Sequence, residues 1–150
     1  MRIALYQPDI PQNTGNIFRL GACLGVSIDI IEPTGFIFDD KRFKRSAMDY
    51  LDHIDYKRHI DWQHFYDWKK ENNFRLILMT TKSQESLYNF KFNPSDILLF
   101  GRESAGVPKN IHNIVDHRLK IPMKSGVRSI NLSSSVALVL GEGLRQTNHL

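Results

Sequence analysis

The stretch that decides the fold reads DILLFGRESAGVP and runs from Asp96 to Pro108. The run up to Phe100 has the length and apolar character of one buried strand, and the glycines, polar and basic residues after it predict a loop. Pro108 suits the first position of a helix that we expect to reach Val115. A strand, a polar loop and a helix in this order are typical of an α/β domain.

The same alternation of short apolar runs and longer amphipathic stretches continues along the chain. It predicts a mostly parallel sheet with helices on both faces. The predicted strands are Arg2–Tyr6, Ser27–Glu32, Tyr56–Ile60, Phe74–Thr80, Asp96–Phe100 and Arg118–Ile121. One further helix is predicted from a cap at Asn13 or Thr14 to its end at Gly25, and another begins at Asp61. No repeat or linker divides the 150 residues, so we expect a single domain over residues 1–150.

The final helix has a clear pattern after Asn131, which we expect to be its cap. Its apolar residues recur at helical spacing and are Leu132, Val136, Val139, Leu140 and Leu144. Most of its remaining positions are small, and two are glycines, which cost a helix interior about 1 kcal/mol each. A helix with these residues is expected to pack closely against another, and the pattern favours the same helix of a second subunit in a homodimer.

Composition narrows the class of protein. With 41% hydrophobic and 24% charged residues, the chain can bury a core, which argues against global disorder and a fibrous repeat. No apolar run approaches the roughly 20 residues of a membrane helix, and the first residues do not resemble a signal peptide. The lone Cys23 cannot form an internal disulfide. We therefore expect a cytoplasmic protein with no membrane partner.

The formal net charge of +4 is concentrated in two segments of the chain. The first contains Lys41, Arg42, Lys44 and Arg45, and the second contains Arg102, Lys109, Arg118, Lys120, Lys124 and Arg128. Two basic segments separated by neutral ones are typical of a protein with an anionic partner such as nucleic acid. A solvated surface gives the same pattern, and charge alone does not separate the two interpretations.

Familiar site motifs are absent from the sequence. It contains neither the glycine pattern of a dinucleotide-binding fold nor that of a phosphate-binding P-loop. The histidines lack a metal-binding spacing and do not pair with Cys23, so no metal site is predicted. The serine hydrolase motif Gly-x-Ser-x-Gly is also absent. A nucleotide-like cofactor would therefore have to be held by other means.

Three segments combine glycine, polar and basic residues directly after a predicted strand or turn. They are residues 11–19, 100–108 and 121–133. Ligands of α/β folds bind beyond the carboxyl ends of the strands, where such loops lie. The first segment also leads into a helix, whose N-terminal amides favour an anion. Each segment alone is weak, but their order along the chain is specific.

Together these segments resemble the three motifs of the SpoU class of RNA ribose 2′-O-methyltransferases, in the SPOUT superfamily. The motif residues are Asn13, Thr14, Gly15, Asn16 and Arg19, then Phe100, Gly101, Arg102, Glu103, Gly106 and Pro108, and finally Ile121, Pro122, Met123, Ser129, Asn131, Leu132 and Ser133. The resemblance covers essentially the whole chain. The short length, the YQPDIP sequence at residues 6–11 and the residues Asp39, Asp40, Lys41 and Arg42 look most like the minimal branch, which modifies the wobble nucleotide of tRNA.

This resemblance implies an α/β fold with a C-terminal trefoil knot, an exception to the usual unknotted topology. It implies that S-adenosylmethionine binds in the knot and leaves as S-adenosylhomocysteine, without a metal. The implied cofactor-binding residues are Met79, Gly101, Ile121, Met123, Ser129 and Leu132. It also implies a homodimer with the active site near the interface. One departure is Gly141, where members of the family usually carry tyrosine.

The resemblance further implies catalytic roles for Arg19, Asn13, Glu103 and Asn131. A guanidinium is a poor base near neutral pH, so we assign Arg19 to the RNA phosphate and the developing alkoxide. The implied contacts to the anticodon stem-loop of tRNA are Lys41, Arg42, Lys44, Arg45, Lys124 and Arg128. Two alternatives remain: 2′-O-methylation of another tRNA or ribosomal RNA site, and a non-catalytic RNA-binding protein that keeps the knot.

Overall fold

A computed structural model describes residues 1–38 and 41–148 of the chain. Asp39 and Asp40, which contribute to the sequence resemblance, lie outside the described residues. The strands are β1 (Arg2–Tyr6), β2 (Ser27–Ile31), β3 (Tyr56–His59), β4 (Arg75–Met79), β5 (Asp96–Phe100) and β6 (His117–Leu119). The α-helices are α1 (Pro11–Leu24), α2 (Lys41–Ala47), α3 (Trp62–Glu71), α4 (Lys109–Ile114) and α5 (Leu132–Thr147). Short 3₁₀ turns cover Met48–His53 and Leu87–Asn89.

The described strands form one sheet in the order β3-β2-β1-β5-β4-β6, and all the strand pairs are parallel. The predicted parallel sheet is therefore confirmed. β5 is buried along its whole length between β1 and β4, as expected for a strand covered on both faces. From β1 the chain adds β2 and β3 on one side of the sheet, whereas β4, β5 and β6 all lie on the other side of β1. The boundary between β1 and β5 is therefore a topological switch point, where open α/β sheets commonly bind ligands.

Helices cover both faces of the sheet. Ile3 and Leu5 of β1 face a cluster that includes Phe18 of α1, Phe43 of α2 and Val139 of α5. The alternate strand residues, Ala4 and Tyr6 in β1, face a second cluster that contains Phe65 of α3 and Ile111 of α4. The two-residue period of a strand thus divides the apolar side chains between two cores. Phe65 of α3 is fully buried in the second of these cores.

The start of α1 differs from the prediction. The helix begins at Pro11, because proline has the backbone angle of a first helical residue and no amide donor to satisfy. Asn13 and Thr14 therefore lie inside the first turn and do not cap it. The predicted end is confirmed, since Gly25 adopts the left-handed conformation with φ of 64°. α4 also shifts by one residue at each end, with Pro108 preceding the helix and not opening it.

Two features of the helices refine the sequence interpretation. The sequence pattern did not predict α2. Its segment is mostly basic, and only Phe43 and Ala47 face the core, so the apolar pattern of a helix is weak. On α5, Asn131 caps the helix by accepting from the amides of Ser133 and Ser134, as expected. Gly143, in contrast, packs against Met1 of the same chain, where an added Cβ would lie 2.7 Å from the Met1 sulfur. Gly143 therefore contacts its own chain and is not part of a surface that a second subunit could cover.

Candidate active site

A cleft of about 480 Å³ opens at the carboxyl ends of β4 and β5. Its wall combines the residues that follow β4, the loop after β5 and the segment between β6 and α5. This is the edge at which open α/β sheets bind their ligands. The volume lies within the range of small-molecule and cofactor sites.

The residues predicted to bind the cofactor come together in this wall. Met79, Gly101, Ile121, Met123, Ser129 and Leu132 all line the cleft. They arrive from three separate parts of the chain, which the parallel sheet aligns because β4 and β5 end at the same edge. Asn13, Glu103 and Asn131 also line the cleft.

A line of hydrogen bonds connects the three motif segments at this edge. The side-chain nitrogen of Asn131 donates to the Oδ1 atom of Asn13 at 3.0 Å. The side-chain nitrogen of Asn13 donates to the Oε1 atom of Glu103 at 3.3 Å, and the other carboxylate oxygen of Glu103 accepts from the backbone amide of Asp9 at 2.8 Å. Asn13 is only 6% exposed, so both ends of its amide are satisfied by protein groups away from water.

The loop that carries Glu103 is fixed by a second set of contacts to Asp9. The Asp9 carboxylate accepts from the Arg102 guanidinium at 2.6 Å and from the Ser104 amide at 3.1 Å. Burial works to raise the pKa of Asp9, but the hydrogen bonds from Arg102 and Ser104 outweigh it and the pKa lies below its ordinary value. Asp9 therefore stays ionised. Its carboxylate binds Arg102 and Ser104, the residues on either side of Glu103.

Close backbone approach gives the loop after β5 its shape. Arg102 and Gly106 exchange backbone hydrogen bonds of 3.0 and 2.8 Å. A Cβ at Gly101 would lie 2.6 Å from the Cα of Gly106, and Gly106 itself has a φ of +65°. Any larger residue at Gly101 would have to open this turn. The two glycines thus bring the loop backbone to the rim of the cleft.

Arg19 does not line the cleft, unlike the other predicted catalytic residues. It is exposed on α1, and its guanidinium carbon lies 5.5 Å from the centre of the Tyr50 ring. Arg19 follows Asn13 by six positions in the same helix, which corresponds to roughly 9 Å along the helix axis. The structure therefore places Arg19 beyond the cleft, beside the Tyr50 ring.

The basic residues predicted to bind RNA fall in two places. Lys41, Arg42, Lys44 and Arg45 are all exposed on α2, and α2 packs closely on α1. A Cβ at Gly15 of α1 would lie 2.8 Å from the Ala47 amide nitrogen, so Gly15 permits this contact. Lys124 and Arg128 are exposed in the segment before α5, outside the cleft wall.

Several residues of the cleft wall were missed by sequence reasoning. Thr80, Thr81 and Lys82 follow β4, and His112 projects from α4. Burial, followed by the charges of Arg118 and Lys82, lowers the pKa of His112 below its ordinary value. The polar run directly after β4 is a usable signal for the first three, whereas no local pattern indicates His112.

The described residues give two further negative findings. Within residues 1–38 and 41–148, no three histidine, cysteine, aspartate or glutamate side chains come together in a group that could hold a metal ion. Over that same part of the chain, every helix is too short or too polar to cross a bilayer.

The parallel sheet and the cleft at its carboxyl edge define a ligand-binding α/β domain. The SpoU rRNA Methylase family matches residues 1–141, and the chain belongs to this family. A tRNA (cytidine(34)-2′-O)-methyltransferase of Beijerinckia indica is 50% identical over 148 residues, which is 99% of this chain and 92% of that protein. The protein of the same name in Escherichia coli K12 is 40% identical over 151 residues, covering 99% and 95%.

Solved structures agree with this membership. One structure, described as giving insight into the 2′-OH methylation of cytidine or uridine 34 on tRNA, matches with a TM-score of 0.92 and 36% identity, covering 97% of this chain and 94% of that one. The SpoU methyltransferase AviRb of Streptomyces viridochromogenes, solved with AdoMet, has a TM-score of 0.90 at 22% identity, covering 97% and 60%. At this lower identity the second likeness concerns the fold alone.

Proposed function

We propose that this chain transfers a methyl group from S-adenosylmethionine to the ribose 2′-hydroxyl of the wobble nucleotide, position 34, of tRNA. The observation that carries the proposal is the hydrogen-bonded line from Asn131 through Asn13 to Glu103, which joins the three motif segments at the rim of one cleft. Relatives that match this chain over nearly their whole length carry this activity in their names.

The cleft fits S-adenosylmethionine in size and in lining. It combines apolar side chains such as Leu78 and Val107 with the backbone of the glycine-containing loop, and such a mixture suits a nucleoside with polar edges. Met79, Gly101, Ile121, Met123, Ser129 and Leu132 would hold the group. When bound, it supplies a methyl group already activated by a sulfonium.

The remaining chemistry falls to the chain. The 2′-hydroxyl must be aligned with the methyl group, and the hydroxyl proton must leave as the new O–C bond forms. Asn13, Glu103 and Asn131 form a rigid polar rim that can orient the ribose. We assign Arg19, which lies outside the cleft wall, to an RNA phosphate and to the negative charge that develops on the reacting oxygen.

The exposed side of α2 is the proposed contact for the anticodon stem-loop. Its basic side chains lie next to α1, so RNA bound there would pass Arg19 on its way to the rim of the cleft. Phosphates recognised by lysine and arginine fix the position of the RNA without reading its sequence. Lys124 and Arg128, on the segment that forms another part of the rim, would extend this contact.

A homodimer is part of the proposal. The solvent-facing side of α5 carries Ser134, Ala137, Leu138, Gly141 and Arg145, with Leu138 46% exposed. Nothing lies within 4 Å of a Cβ built on Gly141, so this side is open to a second copy. Sedimentation of the purified protein tests this surface. We expect a dimer, and Leu138→Arg should dissociate it; a monomeric wild type would contradict the dimer.

The trefoil knot is the proposed topology of the C-terminal part. In support, the chain after β6 runs along residues 85–87, where the Lys120 amide donates to the Glu85 carbonyl at 2.8 Å. It then returns to α1 through Asn131. A crystal structure whose chain trace is unknotted once its ends are joined would contradict this topology. We place the protein in the cytoplasm, which agrees with its single free cysteine.

A methyl-transfer assay tests the proposed function. Purified protein is incubated with tRNA and S-adenosylmethionine that carries a tritiated methyl group, and label in the RNA is counted. Label is expected in tRNA with cytidine or a modified uridine at position 34. Nucleoside mass spectrometry after digestion separates this product from methylation at other tRNA or ribosomal RNA sites. If calorimetry detects no binding of S-adenosylmethionine, the non-catalytic alternative is favoured.

A further inference from the structure

His112 occupies a position in the cleft wall that the proposed mechanism leaves unused. It lies on α4, where its amide donates to the Pro108 carbonyl at 3.0 Å, and its own carbonyl accepts from the Arg118 guanidinium. The backbone is therefore held on both sides. His112 lines the same cleft as the apolar residues Val107, Leu78 and Ile121 and the basic residue Lys82.

The Nε2 atom of this ring has no hydrogen-bond partner. Among the residues that the structure describes, it is the only buried side-chain nitrogen or oxygen atom in that condition. Buried polar atoms are almost always paired, because an unpaired one loses its hydration without compensation. A polar atom that the protein does not satisfy, in the wall of a ligand cleft, is expected to pair with the ligand.

The charge state of the ring narrows the kind of group that it can bind. Burial and the nearby charges of Arg118 and Lys82 lower the pKa of His112, which favours the neutral ring. A neutral imidazole offers one donor and one acceptor nitrogen. Charged parts of a ligand have better partners among the other cleft residues, since Glu103 suits a cation and Lys82 suits a carboxylate. A neutral heterocycle with polar edges suits the apolar wall and the imidazole.

We infer that His112 is a specificity residue of this cleft, and that its Nε2 atom hydrogen bonds to the edge of the adenine ring of S-adenosylmethionine. The inference rests on the proposed function, because it assigns part of the same ligand. It adds a neutral side-chain partner to the polar groups of Asn13, Glu103 and Asn131 at the rim of the cleft. The contact allows the protein to distinguish adenine from a purine with a different edge.

Calorimetry with two ligands tests this assignment. The probes are S-adenosylhomocysteine and its analogue in which hypoxanthine replaces adenine, so that a carbonyl replaces the amino group at the ring edge. The wild type should bind the adenine compound about tenfold more tightly, the value of one neutral hydrogen bond. His112→Phe keeps an aromatic ring but removes Nε2, and it should lose about tenfold in affinity together with most of the preference.

The matched control is His117→Phe. The His117 ring packs against Phe90 with centroids 4.9 Å apart and does not line the cleft. This variant should keep the wild-type affinity and preference. A loss of stability alone would change both variants without changing the preference between the two ligands, so the preference is the decisive readout.

A measurement on the wild type avoids any concern about folding of the variants. In protein with ¹⁵N-labelled histidine, addition of S-adenosylhomocysteine should shift the Nε2 resonance of His112, and the His117 resonances should stay in place. An unchanged His112 resonance, or an unchanged preference in His112→Phe, overturns the assignment while leaving the proposed function intact. Absence of binding to the wild type would overturn both.

Discussion

The side-chain amide of Asn131 donates a hydrogen bond of 3.0 Å to the amide oxygen of Asn13, although 118 positions separate the two residues. The other end of the Asn13 amide donates to Glu103 at 3.3 Å. Asn13 is thus the central member of a line in which each partner has a fixed donor or acceptor role. A substitution that keeps the shape of Asn13 but removes its side-chain donor should disturb the site without leaving a cavity in the core.

Asn13→Asp is the corresponding variant. It replaces the donor with a carboxylate that faces Glu103, and repulsion between the two charges should displace the rim. We expect methyl transfer at saturating substrate to fall at least about tenfold, in line with a lost hydrogen bond to a charged group. Gln12→Ala, an exposed neighbour in the same turn, is the control and should keep wild-type turnover. Normal turnover in Asn13→Asp would remove the line from the mechanism.

Arg19→Ala should abolish methyl transfer, with a loss on the order of a hundredfold or more for a group that stabilises developing charge. Cofactor binding should stay close to wild type, because Arg19 is not part of the cleft wall. Single-turnover kinetics and calorimetry with S-adenosylhomocysteine measure the two effects separately. Arg19→Lys keeps the charge without the planar fork and should recover only part of the rate. Retention of near-normal turnover in Arg19→Ala would exclude Arg19 from catalysis.

Combined replacement of Lys41, Arg42, Lys44 and Arg45 by alanine should weaken tRNA binding and flatten its dependence on salt. Each lost phosphate contact lowers the slope of log K against log salt by roughly 0.7 to 0.9. Filter binding over a range of salt concentrations gives the slope. The control replaces Lys70 and Lys91, exposed lysines outside α2, and should leave the slope unchanged. An unchanged slope in the α2 variant would return these residues to a solvated surface.

The carboxylate of Glu142 on α5 gives a prediction for stability against pH. Hydrogen bonds from Arg145 and Gln146 hold the pKa of Glu142 at about 2, below its ordinary value of 4.5. A carboxyl with a lowered pKa in the folded state contributes stability above its unfolded pKa and loses it as the pH falls through the folded pKa. Glu142→Gln should therefore lower the free energy of unfolding at pH 7.

The difference between wild type and Glu142→Gln should shrink as the pH falls from about 4.5 toward about 2. Urea unfolding at several pH values measures it. Glu71→Gln, which alters an exposed carboxylate at the end of α3, is the control and should show little difference at any pH. If the difference in the free energy of unfolding stays constant down to the lowest pH, the charge of Glu142 contributes nothing to stability.

The elements that sequence predicts well are those whose causes are local. β5 has its predicted bounds because an apolar run ends at Gly101, and Gly25 and Asn131 end and begin their helices as expected. The sequence predicts Asn13 or Thr14 as the cap of α1, but both lie inside the helix, and the Asn13 amide binds Glu103 and Asn131. Those partners are distant in sequence, so no local pattern shows the choice.

The same reason accounts for the other residues that were missed. Asp9 holds Arg102 and Ser104 across more than ninety positions, and His112 reaches the cleft only because α4 follows the loop after β5. The residues that the resemblance implies for the cofactor all line one cleft, since the parallel sheet brings the ends of β4 and β5 together. It did not indicate that Arg19 would lie outside that wall.

The most direct test uses an anticodon stem-loop RNA in two forms, one with cytidine at position 34 and one with 2′-deoxycytidine there. Mass spectrometry of the digested product locates any added methyl group. The proposed function predicts a single methyl group on the ribose of nucleotide 34 in the first RNA and none in the second, which lacks the acceptor oxygen. Equal methylation of both RNAs, or a methyl group at another nucleotide, would contradict it.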